Sequence, residues 1–374
     1  MKIAGRGTVF FGEAGTESSS ACFPGVCALP GGRWVVTFRA SPKKADAFPQ
    51  HLMVTCSDDE GETWTKPVAP FSAPPVNGKP GVFRSGHPTA LGGERLAAVL
   101  YWVDASDPSL PFFNEQTEGL LDSCIFAATS DDGGATWSEP WRIDTNPFNT
   151  PTPITGPILA LPSGEWAVQF ETNKTYYDTS MWHHASVLMI SGDEGKTWPE
   201  YGVAAADPAA RIFYWDQRPN VMADGSILNV FWTFDRREAV YLNMHACLSK
   251  DGGRTWSGLW DTGVPGQAGP PVQLADGRIA LPYVDRERTP LIKLRVSADG
   301  ARSWPDDTEV VLDDSSARAQ QGKKATMQDA WTEMGKFSVG LPYSALLPGG
   351  DVLVVYYAGP QTNHTGVHWV RLRP

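Results

Sequence analysis

Basic residues are the scarcer charge in this 374-residue chain: 31 lysines and arginines stand against 42 aspartates and glutamates, a net charge of −11. Phosphate binding needs a basic footprint, so nucleic acid is excluded as the main partner. No apolar run approaches the roughly 20 residues of a membrane helix, so no membrane partner is expected either. Met1 to Gly7 lack the apolar core of a secretory leader. Only five cysteines occur, scattered at Cys22, Cys27, Cys56, Cys124 and Cys247, an odd number that suits no disulfide framework. Cys56, Cys124 and Cys247 sit in apolar runs, where a thiol serves as a small buried hydrophobe. These absences point to a reducing, cytoplasmic location, although a secreted chain trimmed of its leader would read alike. Histidine is also sparse, seven in all, and the adjacent His183 and His184 fall on a strand-like run that points them to opposite sides. No metal and no cofactor are therefore expected. Nothing in the sequence indicates an oligomeric state.

What is present in quantity is glycine (37) and proline (31) between short apolar runs, the composition of an all-β chain rich in turns. An octet, S-x-D-x-G-x-T-W, recurs at Ser57–Trp64, Ser130–Trp137, Ser191–Trp198 and Ser249–Trp256. A worn copy runs from Ser297 to Trp304, with Ala301 for glycine and Ser303 for threonine. Each copy follows a strand-like run. Serine and aspartate can bond the turn's own amides, glycine permits positive φ, and tryptophan anchors the next strand. The octets lack the ligand spacing of an EF-hand loop, so they are expected to be structural turns remote from any site.

Between the octets runs a second repeat, two apolar segments joined by a glycine-containing turn. It covers Val26–Arg39, Pro88–Trp102, Pro157–Glu171, Pro219–Asp235, Pro270–Asp285 and Ser344–Ala358. Five of the six hairpins are followed by a third strand, an octet and a fourth strand. The sixth has only Gly366–Leu372 after it, and Gly7–Phe11 is the strand left over to pair with it. The reading is one domain over residues 1–374, a six-bladed β-propeller closed by the N- and C-terminal strands. In such a ring, residues before the first strand and after the second strand of each blade rim a central pocket. Those positions hold Arg84, His87, Asp216, Gln217, Arg218, Gln267 and Tyr343 on the approach side. On the exit side they hold Arg39, Asp46, Glu171, Asp235 and Arg236, with Trp102, Trp182, Tyr214, Trp215 and Trp232 nearby. Carboxylates, arginines and aromatic faces together are the furniture of sugar sites.

The octets resemble the Asp-box repeats of the sialidase (neuraminidase) superfamily, and the resemblance spans essentially the whole chain. It implies a six-bladed propeller and an exo-acting glycoside hydrolase that cleaves a terminal sugar from a glycan, its carbohydrate partner. By the same resemblance Tyr343 is the nucleophile, Asp216 its base in the place of a glutamate, and Asp46 the acid/base on a loop. Arg39 matches a clamp arginine. The other clamp positions depart from the pattern: Cys22 and Gln267 stand where arginines are expected, and Tyr357 replaces a supporting glutamate. Arg84, Arg218 or Arg236 are placed to rebuild an anion site. Losing two bidentate arginines argues against an ordinary sialidase. Two other readings stand beside this one. One is a non-catalytic glycan-binding propeller. The other is a polysaccharide lyase or metal-dependent enzyme using His87, His183, His184 or His245.

Overall fold

Strand Trp34–Ser41 is buried at every position, as is Ile227–Asp235, whereas exposure alternates along Lys2–Phe11. A strand covered on both faces reads as a continuous apolar run, and one at the periphery alternates. That contrast is built into the architecture of the computed structural model, which describes residues 1–45, 49–286, 290–314 and 322–374. The fold is all-β and propeller-like. Twisted antiparallel sheets stand side by side, with apolar layers between neighbours. One layer joins Val99 and Ile125 to Val168 and Met189, and the next joins Leu188 and Ile190 to Ile227 and Phe231. Further layers join Val230 to Leu281, and Val296 to Val354.

The first and last segments of the chain share the largest sheet. Strand Lys2–Phe11 pairs antiparallel with His364–Arg373, with Gly7 opposite Trp369. Two antiparallel strand sets in this sheet are joined by a single parallel bridge, Ser20 to Thr365. Glycine is required here: a Cβ on Gly7 would stand 2.7 Å from the Trp369 indole nitrogen.

All five octets form the same turn. The serine hydroxyl donates to the aspartate and accepts the amide four residues on; the aspartate accepts both the amide and the hydroxyl of the threonine. The worn copy keeps every one of these bonds, with Ala301 at φ 67° and Ser303 donating in place of threonine. None of the octet residues lines the central cavity.

Two features were not expected from the sequence. A helix, Met327–Met334, interrupts the strands, opened by a capping box between Thr326 and Asp329. A small hairpin, Phe113–Asn114 with Gly119–Leu120, forms a separate two-stranded sheet. Among the described residues no helix is long and apolar enough to cross a membrane.

Candidate functional site

The strands Ser20–Ala28, Gly81–Gly92, Ile212–Val221 and Val339–Leu346 each converge on a central cavity of about 350 Å³. Each is bulged where it reaches the cavity: between Cys22 and Gly25, at Arg84, between Trp215 and Arg218, and between Gly340 and Tyr343. A bulge adds residues on one strand and re-aims a side chain. At three of them an L-residue takes the left-handed conformation: Phe23 at φ 54°, Asp216 at φ 47° and Leu341 at φ 46°. All three residues line the cavity, as does Arg84. Backbone held off its preferred region in this way concentrates at working sites.

Asp216 is the carboxylate presented by the central bulge. It accepts a short hydrogen bond from the Gln267 amide. The Gln267 oxygen in turn accepts from Arg286, 3.2 Å from Nε and 2.5 Å from Nη2. Because the guanidinium can only donate, the amide must turn its NH₂ toward Asp216. The positive charge of Arg286 thus reaches the carboxylate through one neutral side chain.

On the opposite flank Tyr343 is buried, and its hydroxyl donates to the Thr155 carbonyl. No hydrogen bond joins it to Asp216 among the described residues. Burial pushes the Tyr343 phenol above its ordinary pKa, and the neighbouring Arg218 only partly opposes this. His87 lies flat on the Tyr343 ring, centroids 4.7 Å apart. Burial, and then the Arg218 cation, drive His87 down to about 3, so it is neutral at physiological pH. Arg218 donates 2.6 Å to the same Thr155 carbonyl.

Glu171 ends the strand Trp166–Glu171 at the cavity wall. Its Oε1 accepts the amide of Gln217 at 3.1 Å, and its Oε2 lies 3.5 Å from His184 Nε2. Burial raises its pKa, and the charge of Asp216 adds to the effect. Lys44, also on the wall, donates 2.7 Å to the carbonyls of Met334 and Phe337, tying the first sheet to the end of the helix. Burial, followed by the Arg286 charge, lowers the Lys44 ammonium to about 7.

The helix and the small hairpin form the rim. Trp331 stacks on Phe113 at 4.1 Å with planes 11° apart, and meets Trp215 edge-on at 5.9 Å. Across their seam Gln328 donates to Glu118 (3.3 Å) and Thr332 to Glu115 (3.2 Å).

Of the residues read from the sequence, Tyr343, Asp216, Arg84, His87, Glu171, Arg218 and Gln267 line this one cavity, with Trp182, Trp215 and Trp232. Asp46 lies outside the described residues. The others stand behind or beside the wall. Arg39 is fully buried and donates 2.6 Å to the Lys44 carbonyl and 3.2 Å to the Cys22 sulfur. Gln217 turns its side chain inward to the Phe170 and Val187 carbonyls. Asp235 is held by Arg211 at 2.6 Å, and Arg236 pairs with Glu118 at 2.5 Å. Trp102 donates 2.9 Å to the Pro74 carbonyl, away from the cavity, and Tyr214 is likewise absent from its lining. Tyr357, read as standing in the place of a supporting glutamate, lines the cavity too, whereas Lys44, Phe112 and Trp331 line it and were not read from the sequence. A signal existed for two features. Pro24 and Pro342 interrupt apolar runs, as prolines do at bulges, and Thr326-x-x-Asp329 is a helix-start pattern.

No curated protein matches the sequence. Among solved structures, a protein of unknown function from Dyadobacter fermentans is 20% identical with a TM-score of 0.74, covering 100% of this chain and 99% of that one. The intramolecular trans-sialidase from Ruminococcus gnavus is 14% identical (TM-score 0.62, 98% of this chain, 96% of that one). A Hadza microbial sialidase is 16% identical, with a TM-score of 0.64 over 96% of this chain and 66% of its own length. At such identities the likeness establishes the fold. The sequence model for the BNR repeat-like domain matches residues 96–355, well over half of the chain. Repeat, fold and family model agree: the chain belongs to the BNR repeat-like domain family, as a divergent, sialidase-like member.

Proposed function

We propose that this protein is an exo-acting glycoside hydrolase that takes the terminal sugar of a glycan into the central cavity of a six-bladed ring. The observation that carries the proposal is Asp216, an ionisable carboxylate held on a left-handed bulge at the cavity wall and oriented by Gln267 and Arg286. A cavity of about 350 Å³ behind an aromatic rim suits a chain end better than a chain interior. The sialidase-like neighbours support a carbohydrate substrate. The count of six is supported by dividing the seven-stranded sheet at its single parallel bridge. It is supported again by the apolar layer that joins Trp34 and Phe38 to Val355 and Trp369 and so closes the circuit.

The roles drawn from the resemblance, nucleophile for Tyr343 and acid for Asp46, belong to the same proposal. Tyr343 would have to exchange the Thr155 carbonyl for Asp216 to take part. A second reading, a propeller that holds a glycan without cleaving it, is favoured by that same hydroxyl bond.

The test is a panel of aryl glycosides of acidic and neutral sugars, sialosides included. Turnover is expected on at least one sugar, with sialosides poor because Cys22, Gln267 and Tyr357 stand in for clamp residues and their support. Asp216→Ala should abolish that turnover by several orders of magnitude without unfolding the ring. Sugar binding with no cleavage anywhere on the panel selects the second reading.

A further inference from the structure

Of the three left-handed residues at the cavity wall, only Asp216 is polar. Phe23 and Leu341 are large, apolar and half-buried, and both line the cavity. The left-handed region crowds the Cβ, so glycine or asparagine ordinarily fills it. Here the strained backbone aims two hydrocarbon side chains at the ligand instead. They meet at one corner. Phe23 stands edge-on to Tyr357, centroids 6.3 Å apart. The Tyr357 hydroxyl lies against Gly340, the residue before Leu341, where an added Cβ would come within 2.8 Å of it. Met334 lines the same cavity, and its carbonyl holds Lys44 over the Tyr357 ring. Arg39 and Arg84 lie over the Phe23 ring, 4.6 Å and 5.5 Å from its centroid, so a ring face that could stack on a sugar is already covered. The polar groups nearby are engaged as well. Arg39 and Lys44 donate to backbone carbonyls, Gln267 is bonded at both ends of its amide, and Arg218 and Tyr343 share the Thr155 carbonyl.

Resting on the glycosidase reading, we infer that the terminal sugar is a 6-deoxyhexose, whose methyl group seats against Phe23 and Leu341. A hydroxymethyl in that place would bring its hydroxyl out of water and against hydrocarbon, whereas a methyl gains from the same burial. An acetamido methyl fits less well, because the amide N–H and C=O beside it need partners of their own. The two apolar bulges belong to the strands Ser20–Ala28 and Val339–Leu346, and the Asp216 bulge to Ile212–Val221. A single sugar is thus met by hydrocarbon from the first two strands and by a carboxylate from the third.

The experiment uses 4-nitrophenyl glycosides in pairs that differ only at carbon 6. The pairs are α-L-rhamnoside with α-L-mannoside, α-L-fucoside with α-L-galactoside, and β-D-fucoside with β-D-galactoside. On a pair that the wild type cleaves, kcat/KM for the deoxy member should exceed that of its partner by roughly 10- to 100-fold. Leu341→Asn exchanges hydrocarbon for an amide while keeping a residue that accepts a left-handed φ. It should shrink the ratio roughly tenfold, through loss on the deoxy member. Phe23→Asn repeats the comparison at the other bulge. A role in folding alone would lower both members alike, so a ratio unchanged in both variants overturns the methyl site. Equal rates within a pair, preference for the hexose, or turnover confined to sugars outside these pairs also overturns it and leaves the glycosidase reading standing. If no glycoside is cleaved, the glycosidase reading fails and calorimetric titration decides the site by itself. L-rhamnose, L-fucose and D-fucose are then compared with L-mannose, L-galactose and D-galactose. Tighter binding of a deoxy sugar than of its partner, lost in Leu341→Asn, supports the site; equal binding, or none, overturns it.

Discussion

Asp132 shows how much one exposed side chain can organise. Its carboxylate accepts the Ser130 hydroxyl at 2.9 Å and the Thr136 hydroxyl at 2.6 Å, and the latter bond is the main reason its pKa falls to about 2. Since the folded value lies below the unfolded one of about 3.9, the contribution to stability is present above pH 4 and fades as pH falls toward 2. The group is exposed, so the effect is modest. Asp132→Ala should lower stability by about 1 kcal/mol at pH 7. Thermal melts at pH 7 and pH 3 check this, and the gap between variant and wild type should narrow at the lower pH. Sugar binding by the folded variant should not change. The octets were legible because all their bonding groups lie within eight consecutive residues. The Asp216 bulge was not, because what fixes its conformation is Glu171 and Gln267, 45 residues before and 51 residues after it in the chain. Ala301 marks the tolerance of the octet: it holds a left-handed φ at some cost and loses none of the turn's bonds.

The helix Met327–Met334 belongs to a larger element, the rim it forms with the Phe113–Leu120 hairpin. Trp331 is its hinge pin, stacked on Phe113 and edge-on to Trp215. Trp331→Ala should weaken glycan binding by roughly 1 to 3 kcal/mol, since a truncated aromatic takes its stacking and its burial with it. Calorimetric titration of the sugar found in the panel measures this. The melting temperature of the ring should move far less, because Trp331 is only partly buried, packed against the edge of the cluster formed by Trp182, Phe213 and Trp215. Unchanged affinity would make the rim a passive cover. Pattern reading found the repeated hairpins and passed over this pair, since each occurs once and a search for repeats rewards recurrence. Lys44 escaped for another reason. A lysine in a polar stretch gives no local sign that it will be buried against the Met334 and Phe337 carbonyls, nearly 300 residues away.

At the scale of the molecule, the apolar layers between sheets make each sheet depend on its two neighbours, and the terminal pairing decides whether the circuit is shut. The sequence shows that closure through one leftover strand at each end, which simple strand counting detects. Removing residues 2–11 should strip His364–Arg373 of one of its two antiparallel partners, leaving only Val352–Gln361, and expose Trp369, with a broadened, earlier melt by calorimetry and dye binding to the bared edge. A melt as sharp and as late as that of the full chain would show the closing strand to be dispensable. Lys2 is paired with Arg373, so this closing strand is made long before the partner strand that follows it by more than 350 positions. At about 5 to 20 residues per second, roughly 20 to 70 s separate the two on the ribosome. For that whole interval the young chain carries this strand without the partner it has in the folded protein. The exposed Lys2, Arg6 and Thr8, alternating with half-buried neighbours along Lys2–Phe11, place charge and polarity where the strand would otherwise recruit another chain.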